Sequence, residues 1–236
     1  MLYNARKEEV PLNTLNVGLA GERSTSQKVA EILRSAIFRG ELALGARLVE
    51  ANVAKSLNVS ITPVRQAFAH LATEGLIQVV PYKGTNVVNI TEPLIEEVYG
   101  VRLRLELMAA ELALPYMTEA DCGLLEEYAR RMDRNATEGD FEGFAALDIQ
   151  FHALFYERSG HSLLLELWKS IQSRIRLLQT YGRSFNRPAE PGEVEGRHLP
   201  IVSAVRRGDL PSLLELTEAH IRMGKAMLSA HRAEPH

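Results

Sequence analysis

Cysteines, long apolar runs and enzyme motifs are scarce or missing in this sequence. Cys122 is the single cysteine in 236 residues, which excludes an internal disulfide and a cysteine-based zinc site. No stretch reaches the roughly 18 consecutive apolar residues of a membrane-spanning helix. The N-terminal segment also lacks the apolar core of a signal peptide. We therefore expect a cytoplasmic protein with no membrane segment.

The residues that are present are ordinary for a globular protein, with 46% hydrophobic and 24% charged side chains. The net charge of −3 is spread unevenly. Residues 1–90 contain 10 Lys and Arg against 7 Asp and Glu, whereas residues 91–236 contain 17 against 23. A basic first part and an acidic second part suit a nucleic-acid-binding module joined to a domain that avoids nucleic acid.

The first 90 residues predict a winged helix-turn-helix domain. Residues 1–22 lack clear periodicity and are interpreted as a loose arm, and residues 23–90 as the domain itself. Apolar spacing predicts three helices and then two short strands joined by a hairpin. The segment 40–48 between the first two helices is expected to be turn-rich. The helices are expected at about 26–39, 50–57 and 61–74, and the strands at 76–80 and 85–88.

The third predicted helix has the pattern of a DNA-reading helix. Val64, Phe68 and Leu71 lie at helical spacing and form a buried face, which leaves polar residues on the opposite face. In a helix-turn-helix, the N-terminal residues of the second helix reach base edges in the major groove. A structural three-helix module with solvated side chains would give the same pattern. The candidate DNA-binding residues, including the hairpin tip, are Ser60, Thr62, Arg65, Gln66, Lys83 and Gly84.

Residues 91–236 predict an all-α bundle that follows a hinge at Thr91–Pro93. We find no convincing strand in this part, and glycines divide it into amphipathic segments of about 20 residues with short connections. The fold class is therefore mainly α, with a winged helix-turn-helix followed by six bundle helices. These helices are expected at about 94–117, 119–138, 140–159, 162–183, 193–207 and 210–231.

Four polar residues of the bundle fall in phase with apolar positions, on three different helices. They are Asp148, His152, His198 and His220. Buried imidazoles and carboxylates need polar partners, and one shared cation would satisfy all four. Such ligands suit Zn²⁺, Ni²⁺, Mn²⁺ or Fe²⁺. The alternative is a set of separate core histidines with ordinary hydrogen bonds.

The stretch 57–87 closely resembles the winged helix-turn-helix of the GntR family of bacterial transcription regulators. The shared residues include Val59-Ser60, Thr62-Pro63-Val64-Arg65, Glu74-Gly75-Leu76, the wing residues Pro81 and Gly84, and the upstream Gly40, Leu42 and Gly45. The sequence departs from the family pattern at Ile61 and His70, where arginine is usual, and at Gln66, where glutamate is usual. Because Ile61 cannot hydrogen-bond a base, base recognition there is either apolar, against a thymine methyl, or absent.

The second part is similar to the FCD domain of the FadR branch of this family. The motifs are Val101-Arg102-x-x-Leu105-Glu106, Asp148-x-x-Phe151-His152, His198 followed by Gly208-Asp209, and His220. The resemblance implies a metal set at the same four residues, and six helices resemble the VanR subgroup. Arg197 stands where a glutamate is usual, and Pro200 follows in the same helix, so the backbone at His198 is expected to differ.

Arg102 is in phase with the apolar stripe of the first bundle helix. An inward arginine forms a buried ion pair, extends to the surface, or clamps an anion at the mouth of the metal cavity. The resemblance favours the third interpretation, because FCD domains commonly bind small carboxylates. We therefore expect Arg102 to contact the effector.

Together these features predict a ligand-responsive transcription regulator, of the repressor type, and not an enzyme. It is expected to bind double-stranded operator DNA as a homodimer, and a small carboxylate at the metal site would modulate that binding. One alternative is a metal-dependent enzyme carrying an accessory DNA-binding domain. We find no nucleophile motif, phosphate-binding glycine loop or His-Asp dipeptide that would support it. Another is a structural DNA-binding protein without an effector.

Overall fold

A computed structural model describes residues 24–80, 84–184 and 189–230, with backbone alone for residues 183, 184 and 230. The chain divides between Ile90 and Thr91 into two compact units. The predicted arm at 1–22 and the wing residue Lys83 lie outside the described residues. The first unit contains α1 (Thr25–Phe38), β1 (Arg47–Leu48), α2 (Glu50–Ser56), α3 (Ile61–Thr73), β2 (Ile77–Val80) and β3 (Gly84–Val87).

Helix α1 begins at a capping box and packs against α3. The Ser24 hydroxyl accepts a hydrogen bond from the Gln27 amide, and the Gln27 side chain accepts one from the Ser24 amide. The apolar face of α3 is buried as its spacing predicts, with Val64 and Leu71 fully inaccessible to solvent. Full burial of one such side chain stabilises a fold by about 1.5–3 kcal/mol. This packing leaves the opposite face of α3 exposed.

The strands form a three-stranded antiparallel sheet in the order β1-β3-β2. Strand β1 was not predicted, because two residues are too few for an alternating pattern. It pairs Arg47 with Asn86 and Leu48 with Thr85. Gly45, just before β1, allows the chain to turn into this strand. Its φ is +73°, and the Asn89 side chain lies only 2.8 Å from where a Cβ at Gly45 would stand, so a larger residue would not fit unless Asn89 moved. The expected turn-rich segment therefore ends in a strand that supports the wing.

The described residues of the second unit form the predicted bundle of six α-helices. They are α4 (Glu92–Ala113), α5 (Glu119–Glu138), α6 (Phe141–Arg158), α7 (Ser162–Ser184), α8 (Glu195–Arg206) and α9 (Leu210–Ala230), with a 3-10 turn at Leu114–Tyr116 after α4. The sequence placed a hinge at Thr91–Pro93, whereas Glu92 and Pro93 belong to the first turn of α4. The Thr91 hydroxyl caps this turn by accepting a hydrogen bond from the Leu94 amide.

The bundle core combines large apolar side chains with an unusual group of buried polar residues. Tyr156 and Trp168 stack with ring centroids 4.5 Å apart, and Phe151 is fully buried. Beside them, Arg102, Glu106 and several candidate ligands are also buried. Buried charged and polar groups are costly unless they are paired, so these side chains must be partners of one another. No helix in the described part of the chain has the length and apolarity needed to span a membrane.

Candidate metal centre and DNA-reading surface

The structure brings the four predicted metal ligands together inside the bundle. Asp148 and His152 lie one turn apart on α6, His198 comes from α8 and His220 from α9. One potential ligand atom of each residue lies within 4.8 Å of those of the other three. The first three side chains are buried and His220 is half-buried. The set therefore has the composition and spacing of a site for one divalent ion.

Two of the imidazoles are fixed with a nitrogen atom facing the centre of the cluster. His152 Nδ1 contacts the Glu106 carboxylate, and His198 Nδ1 lies 2.8 Å from the Val194 carbonyl oxygen. The Nε2 atoms of both rings are buried without a hydrogen-bond partner, and they lie 3.7 and 3.5 Å from Asp148 Oδ1. Metal-binding histidines are typically held in this way through the other nitrogen. A cation would satisfy both unpaired atoms.

Pro200 does not remove His198 from the site. It lies inside α8 on the exposed side, and a proline there removes one backbone hydrogen bond of the helix. The N-terminal end of α8 is held from α5, because Asp133 accepts hydrogen bonds from the Gly192, Val194 and Glu195 amides at 2.8–3.2 Å. His198 therefore keeps its position although the sequence departs from the family pattern around it.

Arg102 contacts the candidate ligand Asp148 and belongs to a buried network of charges. Its Nε donates to Glu106 Oε1 at 2.7 Å and its Nη2 donates to Asp148 Oδ2 at 3.2 Å. Gln179 Nε2 donates to the same Asp148 oxygen at 2.6 Å. Arg102 thus forms the buried ion pair that was one of its three interpretations, and it also lines the cavity beside the ligands.

Sequence reasoning missed Glu106 and Gln179 as members of this network. Glu106 lies four residues after Arg102 on the same face of α4, and this spacing was the available signal. In the sequence, Glu106 stands out only as the last residue of the FCD-like motif on α4. Gln179 follows the buried Ile175 by one turn of α7 and comes directly after the buried Leu177 and Leu178. The contacts of Glu106 with His152 and of Gln179 with Asp148 join different helices, so the sequence does not show them.

The electrostatics of the cluster keep its two carboxylates ionised and the His220 imidazole neutral. Burial would raise the pKa of Asp148, but His152, Arg102 and His198 hold it well below its usual value. Burial likewise opposes ionisation of Glu106, yet His152 and Arg102 lower its pKa. Burial, followed by the neighbouring His198 and His152, lowers the pKa of His220 well below its usual value. Ionised carboxylates and a neutral imidazole are the ligand forms.

A cavity adjoins the cluster on the side of α9. Its empty volume is about 590 Å³, part of it open to solvent, and its enclosed part has room for only a few water molecules. Arg102, Asp148, His198 and His220 supply its polar wall, and side chains such as Phe144 and Met227 supply its apolar wall. A ligand that fits beside the cluster must therefore be small.

The candidate DNA-binding residues of the first unit lie on its surface. Ser60, Thr62, Arg65 and Gln66 are exposed at the start of α3, and Gly84 is exposed where β3 begins. The Ser60 hydroxyl makes no capping hydrogen bond, so it is available to a partner. Arg65, 72% exposed, pairs with Glu50 of α2, with 3.1 Å between Nη2 and Oε2.

Arg47 of β1 is an exposed cation that sequence reasoning missed. Its Nε lies 3.5 Å from where a Cβ at Gly84 would stand, so its guanidinium group lies against the start of β3. Arg47 therefore adds a positive charge beside the wing, where a phosphate group would be attracted. Its only signal in the sequence was its basic side chain in a segment expected to be a turn.

Comparisons with known proteins agree with this geometry. Residues 25–87 match the gntR family of bacterial regulatory proteins, and residues 97–223 match the FCD domain. The HTH-type transcriptional regulator McbR of Escherichia coli is 30% identical over 187 residues, covering 79% of this chain and 84% of McbR. A probable D-xylose utilization operon transcriptional repressor of Paenarthrobacter nicotinovorans is 30% identical over 198 residues, covering 84% of this chain and 85% of the repressor.

The solved structures give the same assignment. The structure of E. coli McbR/YncC superposes with a TM-score of 0.76 at 26% identity, covering 89% of this chain and 100% of that one. A GntR regulator from Rhodococcus sp. RHA1 gives a TM-score of 0.73 at 25% identity, covering 90% and 100%. The named relatives are transcriptional regulators rather than enzymes. This chain belongs to the GntR family of bacterial transcriptional regulators and combines the family's DNA-binding domain with an FCD domain.

Proposed function

We propose that the protein represses transcription from an operator that it binds as a homodimer, and that a small carboxylate bound at a metal centre controls this binding. One observation supports the metal centre above all. Two buried imidazole nitrogens without hydrogen-bond partners lie next to an ionised carboxylate and a third histidine. Repression is proposed because relatives such as the E. coli repressor RspR are named repressors.

Asp148, His152, His198 and His220 would hold one divalent ion, with Zn²⁺, Ni²⁺, Mn²⁺ and Fe²⁺ as the candidates. The bound ion would supply a Lewis acid that accepts a carboxylate oxygen. Glu106 and the Val194 carbonyl would keep His152 and His198 in their ligand orientation. In this proposal the ion therefore serves to bind the carboxylate effector.

Arg102 would bind the other end of the acid. Its Nε and Nη2 already donate to Glu106 and Asp148, so Nη1 is the nitrogen that would donate to the acid. The guanidinium group also lines the cavity next to Asp148. Charge-assisted hydrogen bonds to a carboxylate are strong in such a desolvated place. Its buried ion pairs would then hold the guanidinium group in position for the acid.

The homodimer is supported by exposed apolar side chains on two helices that pack against each other. Val101 and Met108 are 48% and 40% exposed on α4, and Leu163 and Leu167 are 57% and 44% exposed on α7. A second copy of this face would cover them. Two-fold symmetric regulators bind palindromic operators, because one reading helix covers only a half-site.

The test is a DNA-release titration followed by fluorescence anisotropy, with small carboxylates screened in the presence and absence of divalent metal. We expect one acid to change operator affinity about five- to 150-fold, a usual coupling magnitude. Arg102→Lys should abolish this change, because a lysine keeps the charge but loses the forked donors. Acid-free DNA binding should stay close to that of the wild type.

Arg131→Lys is the matched control, because Arg131 is a half-exposed arginine of α5, outside the two helices proposed to form the dimer face. It should respond to the acid as the wild type does. Thermal melting shows whether Arg102→Lys is folded. A folded Arg102→Lys protein with a normal acid response would show that Arg102 is purely structural.

A further inference from the structure

Ile61, the first residue of α3, is an apolar side chain in an exposed position. It is 44% exposed, whereas the other large apolar residues of α3, Val64, Phe68 and Leu71, are buried. An isolated exposed isoleucine on a protein surface is ordinary. The position of Ile61 is what matters, because the first turn of a reading helix is the part that approaches base edges.

The neighbours of Ile61 on the exposed face all offer hydrogen bonds. Thr62, Arg65 and Gln66 have donors, and Thr62 and Gln66 also have acceptors. Ile61 has neither. In the major groove, guanine, adenine and cytosine present hydrogen-bonding groups and no methyl group, whereas thymine presents a 5-methyl group beside its O4 acceptor. Packing Ile61 against a polar edge would leave that edge without a hydrogen-bond partner.

We propose that Ile61 recognises the 5-methyl group of a thymine in each operator half-site. The inference rests on the assignment of α3 as the reading helix, and it is independent of the metal and the effector. It makes Ile61 a specificity-determining residue that selects thymine through apolar contact. The hydrogen-bonding residues beside it would recognise neighbouring base pairs or phosphates.

The experiment removes single methyl groups from the DNA. The full-length protein first selects its site from a pool of random duplexes. Each thymine of the selected half-site is then replaced, in both halves, by deoxyuridine, which lacks only the methyl group. Loss of the methyl contact should weaken wild-type binding about fourfold per half-site, or about 16-fold for the palindrome, since one buried methyl or methylene group contributes roughly 0.8 kcal/mol.

The same scan with Ile61→Ala completes a double-mutant cycle. The variant should bind the thymine duplex more weakly than the wild type does, and it should not distinguish thymine from deoxyuridine at the identified position. Val79→Ala is the matched control, because Val79 is a second exposed apolar residue of the same unit, 68% exposed on β2. It should retain the full deoxyuridine penalty.

Equal penalties for the wild type and Ile61→Ala at every thymine would overturn the inference, as would a selected half-site without thymine. A protein that enriches no sequence at all would overturn the reading role of α3 and the inference with it. Ile61→Arg gives an independent result, because an arginine at this position should shift the selected base to guanine.

Discussion

Two arginine–carboxylate contacts, one in each unit, show how differently the protein uses the same chemistry. Arg65 meets Glu50 on the surface of the DNA-binding domain and is 72% exposed. Arg102 meets Glu106 and Asp148 inside the FCD domain, where all three side chains are 2–3% exposed. An exposed pair contributes little stability, because water competes for both charges. A buried pair cannot open without leaving charges unsolvated.

This difference assigns different tasks to the two arginines. If Arg65 contacts DNA as proposed, it would exchange Glu50 for a base edge or a phosphate at small cost, because the exposed pair contributes little stability. Arg102 cannot exchange its partners freely, and its charge helps to keep Asp148 ionised for a cation. We therefore expect substitutions in the buried network to change stability and metal content, and those in the surface pair to change DNA affinity.

The largest effect is expected from Asp148→Ala. The substitution removes a proposed metal ligand and leaves Arg102 Nη2 and Gln179 Nε2 without their shared acceptor. Breaking a buried ion pair costs about 3–5 kcal/mol. Urea denaturation in the presence of a chelator would measure this loss without metal. Elemental analysis of purified protein should find close to one divalent ion per wild-type chain and far less in the variant.

Glu106→Gln tests the same site more finely, because Glu106 contacts the proposed ligand His152 and lies outside the proposed ligand set. Loss of such a supporting carboxylate typically weakens metal affinity by about 10- to 100-fold, so the variant should still load metal when the ion is in excess. An Asp148→Ala protein that kept one ion per chain after dialysis would contradict the four-residue site.

A smaller effect, confined to DNA binding, is expected from Arg65→Ala. If Arg65 forks onto a guanine, its loss should weaken operator binding about five- to 150-fold per half-site in a titration at fixed salt. Glu50→Ala is the informative control, since it removes the partner of Arg65 and a negative charge near the DNA. It should bind as tightly as the wild type or more tightly. Weakened binding by Glu50→Ala alone would mean that the pair acts as a unit.

The sequence predicted the buried site in outline because burial restricts what a polar residue can do. Asp148 and His152 fall on an apolar face at a spacing of one turn, and this conflict is visible without a structure. Glu106 and Gln179 complete the site through contacts between different helices, which no local pattern encodes. The secondary structure shows the same limit of local patterns. The long helices have a clear apolar period and were predicted, whereas the two-residue strand β1 has none and was not.

The surface gave a weaker signal for the opposite reason. An exposed residue such as Arg65 needs no partner, so nothing in its spacing distinguishes DNA contact from solvation. Its role was predicted from its place on α3 and from the family resemblance. Its pairing with Glu50, 15 residues earlier, depends on the turn between α2 and α3. Arg47 was missed for the same reason, because its place beside Gly84 depends on the pairing of β1 with β3.

The pair of Asp121 and Arg158 lies between the two extremes and should give the smallest effect. The Asp121 side chain is 4% exposed and that of Arg158 is 45% exposed, with 2.7 Å between Oδ1 and Nη2. Hydrogen bonds from Arg158, with further ones from Thr118, lower the pKa of Asp121 from 3.8 to about 2. Because the folded-state pKa is the lower one, the pair stabilises the fold above pH 3.8. That stability is lost as the pH falls towards 2.

Arg158→Ala isolates this contribution, because Asp121 keeps its capping hydrogen bonds with Thr118. We expect a loss of about 1 kcal/mol near neutral pH, since water screens the exposed guanidinium group. Urea denaturation of wild type and variant from about pH 5 down to about pH 2 should show this difference shrinking as Asp121 becomes protonated in both. Arg131→Ala, which removes a pair with Glu127 that is half-exposed on both sides, is the control and should show no such trend. A difference between wild type and Arg158→Ala that stayed constant with pH would mean that Arg158 acts through packing of its aliphatic chain. In that case, burial of Asp121 alone would not be enough for its charge pair with Arg158 to stabilise the fold.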